Sequence, residues 1–143
     1  AGLARLGWIT GILWASESYS AAGIREEILT CIFRTSYIQG KGPARTLREL
    51  LIQEGSAMRK AGARNPFLDP GRLLATRQIL RPLLDHDDIP TLMAALFGDV
   101  AAHELGYPPL GLPTRAGLAL ALHGRLEPRD SRSRGGPGHR ATP

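Results

Sequence analysis

The placement of proline and aspartate in residues 69–97, DPGRLLATRQILRPLLDHDDIPTLMAALF, restricts the fold of this chain more than any other feature. Asp69 is suited to cap a helix that begins at Pro70, because proline has no N–H to lose in the first turn. Pro82 lacks the N–H that an α-helix needs in its interior, and it also clashes with the preceding turn. The sequence therefore predicts a helix that ends or kinks near Arg81.

A second helix is predicted in the same stretch. It begins at Asp87 or Asp88, has Pro90 in its first turn and ends at Gly98, which suits a helix C-terminus. Apolar residues recur at helical spacing in both halves: Leu73, Leu74, Ile79, Leu80, Leu83, Leu84, Leu92, Met93, Leu96 and Phe97. We expect these two helices to form the centre around which the chain is organised.

A helix is also predicted after Ser20, which is suited to cap it, with Gly40 at its end. Its apolar face contains Ile24, Ile28, Cys31, Ile32 and Thr35. Several β-branched residues in 28–38 leave a strand as the alternative. We expect the thiol on this face to be buried and inert.

The remaining helix signals complete an all-α fold. Thr46 and Glu49 have the spacing of a capping box, and the helix that they start runs to about Lys60. A short helix is expected after Gly98, and Thr114 is expected to cap the last one. The predicted architecture is five or six short, irregularly connected helices.

The N-terminal segment, residues 1–16, is apolar on nearly every side of a helix and carries a single charge, on Arg5. A helix of that kind must be buried or must bind something. It is too short to span a bilayer, which needs about 20 apolar residues. We predict that it contacts a partner subunit or a membrane surface, without a transmembrane span, through Trp8, Ile9, Ile12 and Trp14.

The chain divides by composition into three parts. The apolar segment is followed by a small helical domain, residues 17–124, and by a tail rich in Arg, Gly, Ser and Pro, residues 125–143. The tail has one apolar side chain longer than alanine, Leu126, so it is predicted to be disordered unless a partner orders it.

The sequence contains no complete catalytic or metal-binding motif. Asp85, His86, Asp87 and Asp88 are the densest group of ligand-type side chains, but they lie between two helices, where aspartate is needed as a cap. We therefore predict that the protein is not an enzyme and has no metal site or cofactor.

Two functions remain as hypotheses. The first is a non-catalytic structural or accessory subunit of a multiprotein assembly, which docks apolar and basic surfaces on partner subunits. The alternative is a small RNA- or DNA-associated protein, consistent with a net charge of +5. Its contacts would be Arg45, Arg48, Arg59 and Lys60 in the basic 41–64 region and Arg132, Arg134 and Arg140 in the tail.

The expected location is intracellular. A single cysteine allows no disulfide within the chain, which suits a reducing compartment. The scarcity of acids near the N-terminus is compatible with an organelle such as the mitochondrion.

Overall fold

The computed structural model describes Ile9, residues 18–124 and Leu126. The described residues form an all-α fold, as predicted, and contain no strand. Within these residues, six α-helices follow one another: α1 Ala21–Lys41, α2 Leu47–Lys60, α3 Pro70–Leu80, α4 Ile89–Phe97, α5 Asp99–Glu104 and α6 Ala116–His123.

The predicted helix starts are confirmed at four places. The Asp69 side chain accepts from Arg72 N at 3.0 Å and caps α3, whose first residue is Pro70. The Asp88 side chain accepts from Thr91 N at 2.9 Å and caps α4. The caps of Ser20 on α1 and the capping box of Thr46 and Glu49 on α2 are also present.

The break at Pro82 is confirmed as well. Helix α3 ends at Leu80, and a single 3-10 turn, Arg81–Leu83, follows it. Gly98, with φ of 87°, ends α4 in a conformation that favours glycine.

The most deeply buried helix is α6, and this differs from the expectation that residues 69–97 form the centre. Every residue from Ala116 to Leu122 is buried. Helices α2, α3 and α4 pack against α6 and surround it. The core contains residues of these helices, among them Leu51, Leu80 and Leu96.

Two glycines explain how neighbours approach α6 so closely. A Cβ at Gly55 of α2 would clash with the carbonyl oxygen of Ala121, and a Cβ at Gly117 would clash with that of Ala95 in α4. The helices therefore meet backbone to backbone at these points, where no larger residue fits. The sequence shows Gly55 only as a weak point in a helix.

The prediction that Thr114 caps α6 is wrong. Arg115 occupies the N-cap position with φ of 57°, and no side chain caps the helix. Its conformation is fixed instead by the loop that precedes it, because the Asp99 carboxylate accepts from the backbone N–H groups of residues 110, 111 and 112 at 2.9–3.1 Å. Arg115 N also donates to the carbonyl oxygen of Phe97 at 2.8 Å.

Helix α1 packs along α2 and runs one residue beyond the predicted end, to Lys41, with Gly42 at its C-cap. The strand alternative for residues 28–38 is excluded, since the whole range is helical. The orientation of this helix is the unexpected feature of the fold, and it forms the candidate functional site.

Candidate docking surface on the first helix

Polar side chains of α1 lie in its contact with α2. The only buried residue of α1 is Thr30, which is 4% exposed. Beside it, Arg34 donates from Nε and Nη2 to the two carboxylate oxygens of Glu54 in α2, both at 2.7 Å. Glu54 is 6% exposed, so this ion pair lies inside the contact between the helices. The arrangement is the bidentate one in which arginine binds carboxylate most strongly.

The acids of α1 are also engaged with the domain. Glu27 accepts from Arg115 Nη2 at 3.3 Å, and Glu26 accepts from Arg64 N at 3.4 Å. The hydrogen bond to Glu54 raises the pKa of the Arg34 guanidinium above its ordinary value, against the effect of its partial burial. Both acids of α1 thus point toward the domain, and Arg34 is held in its charged form.

The predicted apolar face of α1 contains Ile24, Ile28, Cys31, Ile32 and Thr35, and we call these residues the outer stripe. Ile28 is 51% exposed and Ile32 is 41% exposed. None of the α1 side chains belongs to the hydrophobic core that the described residues form. The two exposed residues of the face that the sequence predicts to pack, Ile28 and Ile32, therefore point away from the domain.

The physical reason lies in the surface that α2 presents. Gln53 and Glu54 are both buried there, and Gln53 Nε2 donates to Glu54 Oε1 at 3.2 Å. A buried carboxylate is costly without charged or hydrogen-bonding partners, and an isoleucine face would supply none. Arg34 supplies such a partner, so α1 docks with Arg34 facing α2.

The prediction of a buried thiol is wrong in degree. Cys31 is partly buried at the edge of the outer stripe, and its sulfur accepts a weak hydrogen bond from Arg34 Nη1 at 3.6 Å. Sequence reasoning also missed the set formed by Glu27, Arg34, Glu54 and Arg115. The available signal was a polar row at helical spacing in α1, Glu27, Thr30 and Arg34.

The four basic residues of the domain do not form one patch. Arg45 and Arg48 lie at the start of α2, whereas Arg59 and Lys60 lie at its end. The helix has 14 residues, so the two pairs are about 20 Å apart. Arg48 Nε lies 3.8 Å from Asp85, beyond hydrogen-bond distance.

Arg59 has a structural contact. Its Nη1 donates to the carbonyl oxygen of Ala121 at 2.7 Å and approaches that of Leu122 at 3.4 Å. A cation at the last carbonyl groups of a helix stabilises it. Arg59 therefore holds the end of α6 against α2.

Most of the other predicted contact residues lie outside the described residues: Trp8, Ile12, Trp14, Arg132, Arg134 and Arg140. Ile9 is described, and 49% of it is exposed.

The acidic group at 85–88 has the predicted structural role at one position. Asp88 caps α4, and hydrogen bonds from Thr91 and then from His86 lower the pKa of its carboxyl to about 2. His86 Nδ1 lies 3.1 Å from Asp88 Oδ2. Within the described part of the chain, no three His, Cys, Asp or Glu side chains are placed to hold one metal ion. No helix there is both long and apolar enough to cross a membrane.

Comparison of this chain with protein-family models, with curated proteins and with solved structures finds no match.

Proposed function

We propose that this protein is a non-catalytic subunit of a multiprotein assembly and that it binds a partner protein on the side of α1 that carries the outer stripe. The observation that supports the proposal is the orientation of α1, with ionic groups facing its own domain and Ile28 and Ile32 exposed. A row of apolar residues at helical spacing is the feature that helix-in-groove recognition uses.

The energetics favour a covered surface. Full burial of an isoleucine side chain stabilises a protein by about 1.5–3 kcal/mol, so the exposed halves of Ile28 and Ile32 leave roughly 2 kcal/mol unused. Scattered exposed apolar residues, such as Leu74 and Val100, are ordinary on protein surfaces. A contiguous row on one helix is a better candidate for an interface.

Charge indicates the chemistry of the partner. The exposed charge beside the outer stripe is Arg25, since both acids of α1 face the domain. We expect the partner to present an apolar helix or groove with acidic residues at its rim. The prediction that the assembly lies in an organelle such as the mitochondrion has no structural support, and fractionation of the native source with an antibody to the chain tests it.

The test is recovery of partners from the native source with matched pairs of surface variants. Wild type should retain the partner at high salt, because salt does not screen an apolar contact. Ile28→Gln with Ile32→Gln should abolish this recovery. Leu74→Gln with Val100→Gln is the control, since it removes two exposed apolar residues from α3 and α5. Circular dichroism should show both double variants folded.

Two results would count against the proposal. Equal recovery of every partner by both double variants would remove the outer stripe from the interface. Partners that are lost on nuclease treatment or at high salt, irrespective of the α1 substitutions, would support the nucleic-acid alternative instead.

A further inference from the structure

The last turn of α6 is contacted by side chains from three other parts of the fold. Arg59, near the end of α2, donates from Nη1 to the carbonyl oxygen of Ala121 at 2.7 Å. Arg77 of α3 donates from Nη2 to the carbonyl oxygen of Gly124. These two carbonyl groups are about 5 Å apart along the helix, so the two guanidinium groups lie within about 10 Å of each other.

An exposed aromatic ring lies at the same end of α6. His123, the last residue of the helix, packs edge to face against Phe67, and the two ring centroids are 5.8 Å apart. His123 Nε2 also lies within hydrogen-bond distance of the carbonyl oxygen of Pro66, at 3.2 Å. These contacts attach the loop that carries Phe67 to α6, yet 68% of Phe67 is exposed. The ring is therefore held in place with most of its surface in water.

This end of the domain has more positive charge than the helix terminus needs. Five exposed residues form what we call the basic-aromatic patch: Arg59, Lys60, Phe67, Arg77 and His123. The C-terminus of a helix carries about half of an elementary negative charge, so Arg59 and Arg77 together leave an excess of positive charge. Among the described residues, the arginines that form ion pairs are others: Arg34, Arg48, Arg72 and Arg115.

From this combination we propose that the basic-aromatic patch binds single-stranded nucleic acid. Phosphate groups supply the negative charge that arginine and lysine attract, and the faces of unpaired bases stack on an exposed aromatic ring. A duplex keeps its bases stacked on one another and offers no base face to Phe67. An acidic peptide would match the charge but would leave Phe67 without a planar partner.

The sequence points to only two members of this patch. Arg59 and Lys60 belong to the basic 41–64 region, whereas the other three residues are brought beside them by the fold. The patch shares no residue with the outer stripe of α1. The inference therefore does not rest on the proposed function, and both can hold for one protein.

Fluorescence anisotropy of a labelled oligothymidylate mixed with the full chain tests the proposal. An oligonucleotide of about 15 nucleotides is long enough for the usual size of a single-strand site. It should bind more tightly than a duplex of equal length, and an oligouridylate in the same assay shows whether RNA or DNA is preferred. The plot of log K against log salt should have a slope of about −2, as three phosphate contacts require.

Two substitutions of Phe67 separate base stacking from apolar contact. Phe67→Leu keeps an apolar side chain but has no ring, so the affinity for the single strand should fall about tenfold. Phe67→Trp keeps a planar ring and should bind at least as tightly as wild type. Phe67 is exposed, so circular dichroism should show both variants folded.

Lys60→Gln and Arg45→Gln form a matched pair, because each removes one positive charge from an exposed residue at an end of α2. Lys60→Gln should reduce the magnitude of the salt slope by about 0.7, and Arg45→Gln should leave it unchanged. The two arginines of the patch are kept, since each also bonds to the end of α6. Ile28→Gln with Ile32→Gln should bind the oligonucleotide as wild type does.

Three results would overturn the proposal. Equal affinity of Phe67→Leu and wild type would exclude stacking, and equal affinity for single strand and duplex would do the same. Equal changes of the salt slope in Lys60→Gln and Arg45→Gln would show attraction to the general positive charge of the protein. An oligoglutamate peptide that competes equally well with the oligonucleotide would point to an acidic protein instead. None of these results bears on partner recovery through α1.

Discussion

Helices α6 and α1 use apolar residues in opposite ways. Helix α6 has eight residues, and the seven from Ala116 to Leu122 are all buried. Helix α1 has 21 residues, and the one that is buried is a threonine. The comparison shows that apolar content does not decide which face packs, because the surface offered by the neighbouring helix also matters. The neighbours of α6 offer apolar residues and close backbone, whereas α2 offers α1 a buried carboxylate.

The largest effect is expected from a side chain inserted where α6 meets α4. Gly117→Val should reduce the free energy of unfolding by about 3 kcal/mol or more. The added Cβ would clash with the Ala95 carbonyl oxygen, and relieving the clash requires the backbone to shift. Urea denaturation measures the loss. Gly40→Ala in α1 is the control, since its Cβ would meet no atom within 4 Å.

The control has an expected sign of its own. Alanine is favoured over glycine within a helix by about 0.5–1 kcal/mol, so Gly40→Ala should stabilise the protein slightly or leave it unchanged. If Gly117→Val were tolerated as well as Gly40→Ala, the backbone contact of α6 with α4 would not exist.

An intermediate effect is expected at the ion pair between α1 and α2. Arg34→Met leaves the Glu54 carboxylate buried without its cation and should cost roughly 2 kcal/mol. The value is set below that of a fully buried pair because the Arg34 side chain is 34% exposed and water screens it. Thermal and urea unfolding measure the cost.

The double variant Arg34→Met with Glu54→Leu distinguishes the cause. Removing both charges should recover part of the loss, since no unpaired charge then remains in the contact. If the losses of Arg34→Met and Glu54→Leu simply added in the double variant, the two side chains would not stabilise each other.

Features of this fold that depend on residues close together in the sequence were predictable, and those that depend on distant residues were not. The caps of Ser20, Asp69 and Asp88 and the break at Pro82 are local, because one side chain and its next few residues decide them. All four are readable from the sequence. The N-cap of α6 is not, because Asp99 holds the preceding loop from a position more than ten residues away.

The candidate site shows the same limit. The apolar row from Ile24 to Thr35 is readable as a helix face, but its direction depends on Glu54, which lies on another helix. A buried acid is invisible in α2 alone, where Glu54 reads as ordinary helix surface. The central role of α6 is equally hidden, since a short run of Ala, Gly and Leu has no polar side to indicate a direction.

The smallest effect is expected on the outer stripe itself. Ile28→Ala should change the free energy of unfolding by no more than about 0.5 kcal/mol, because half of the side chain is already in water and alanine favours the helix. Leu120→Ala in α6 is the matched substitution, 1% exposed, and should cost about 2–5 kcal/mol. Urea denaturation of both variants beside wild type compares them directly. Equal losses would place Ile28 in the core, and α1 would then no longer differ from α6.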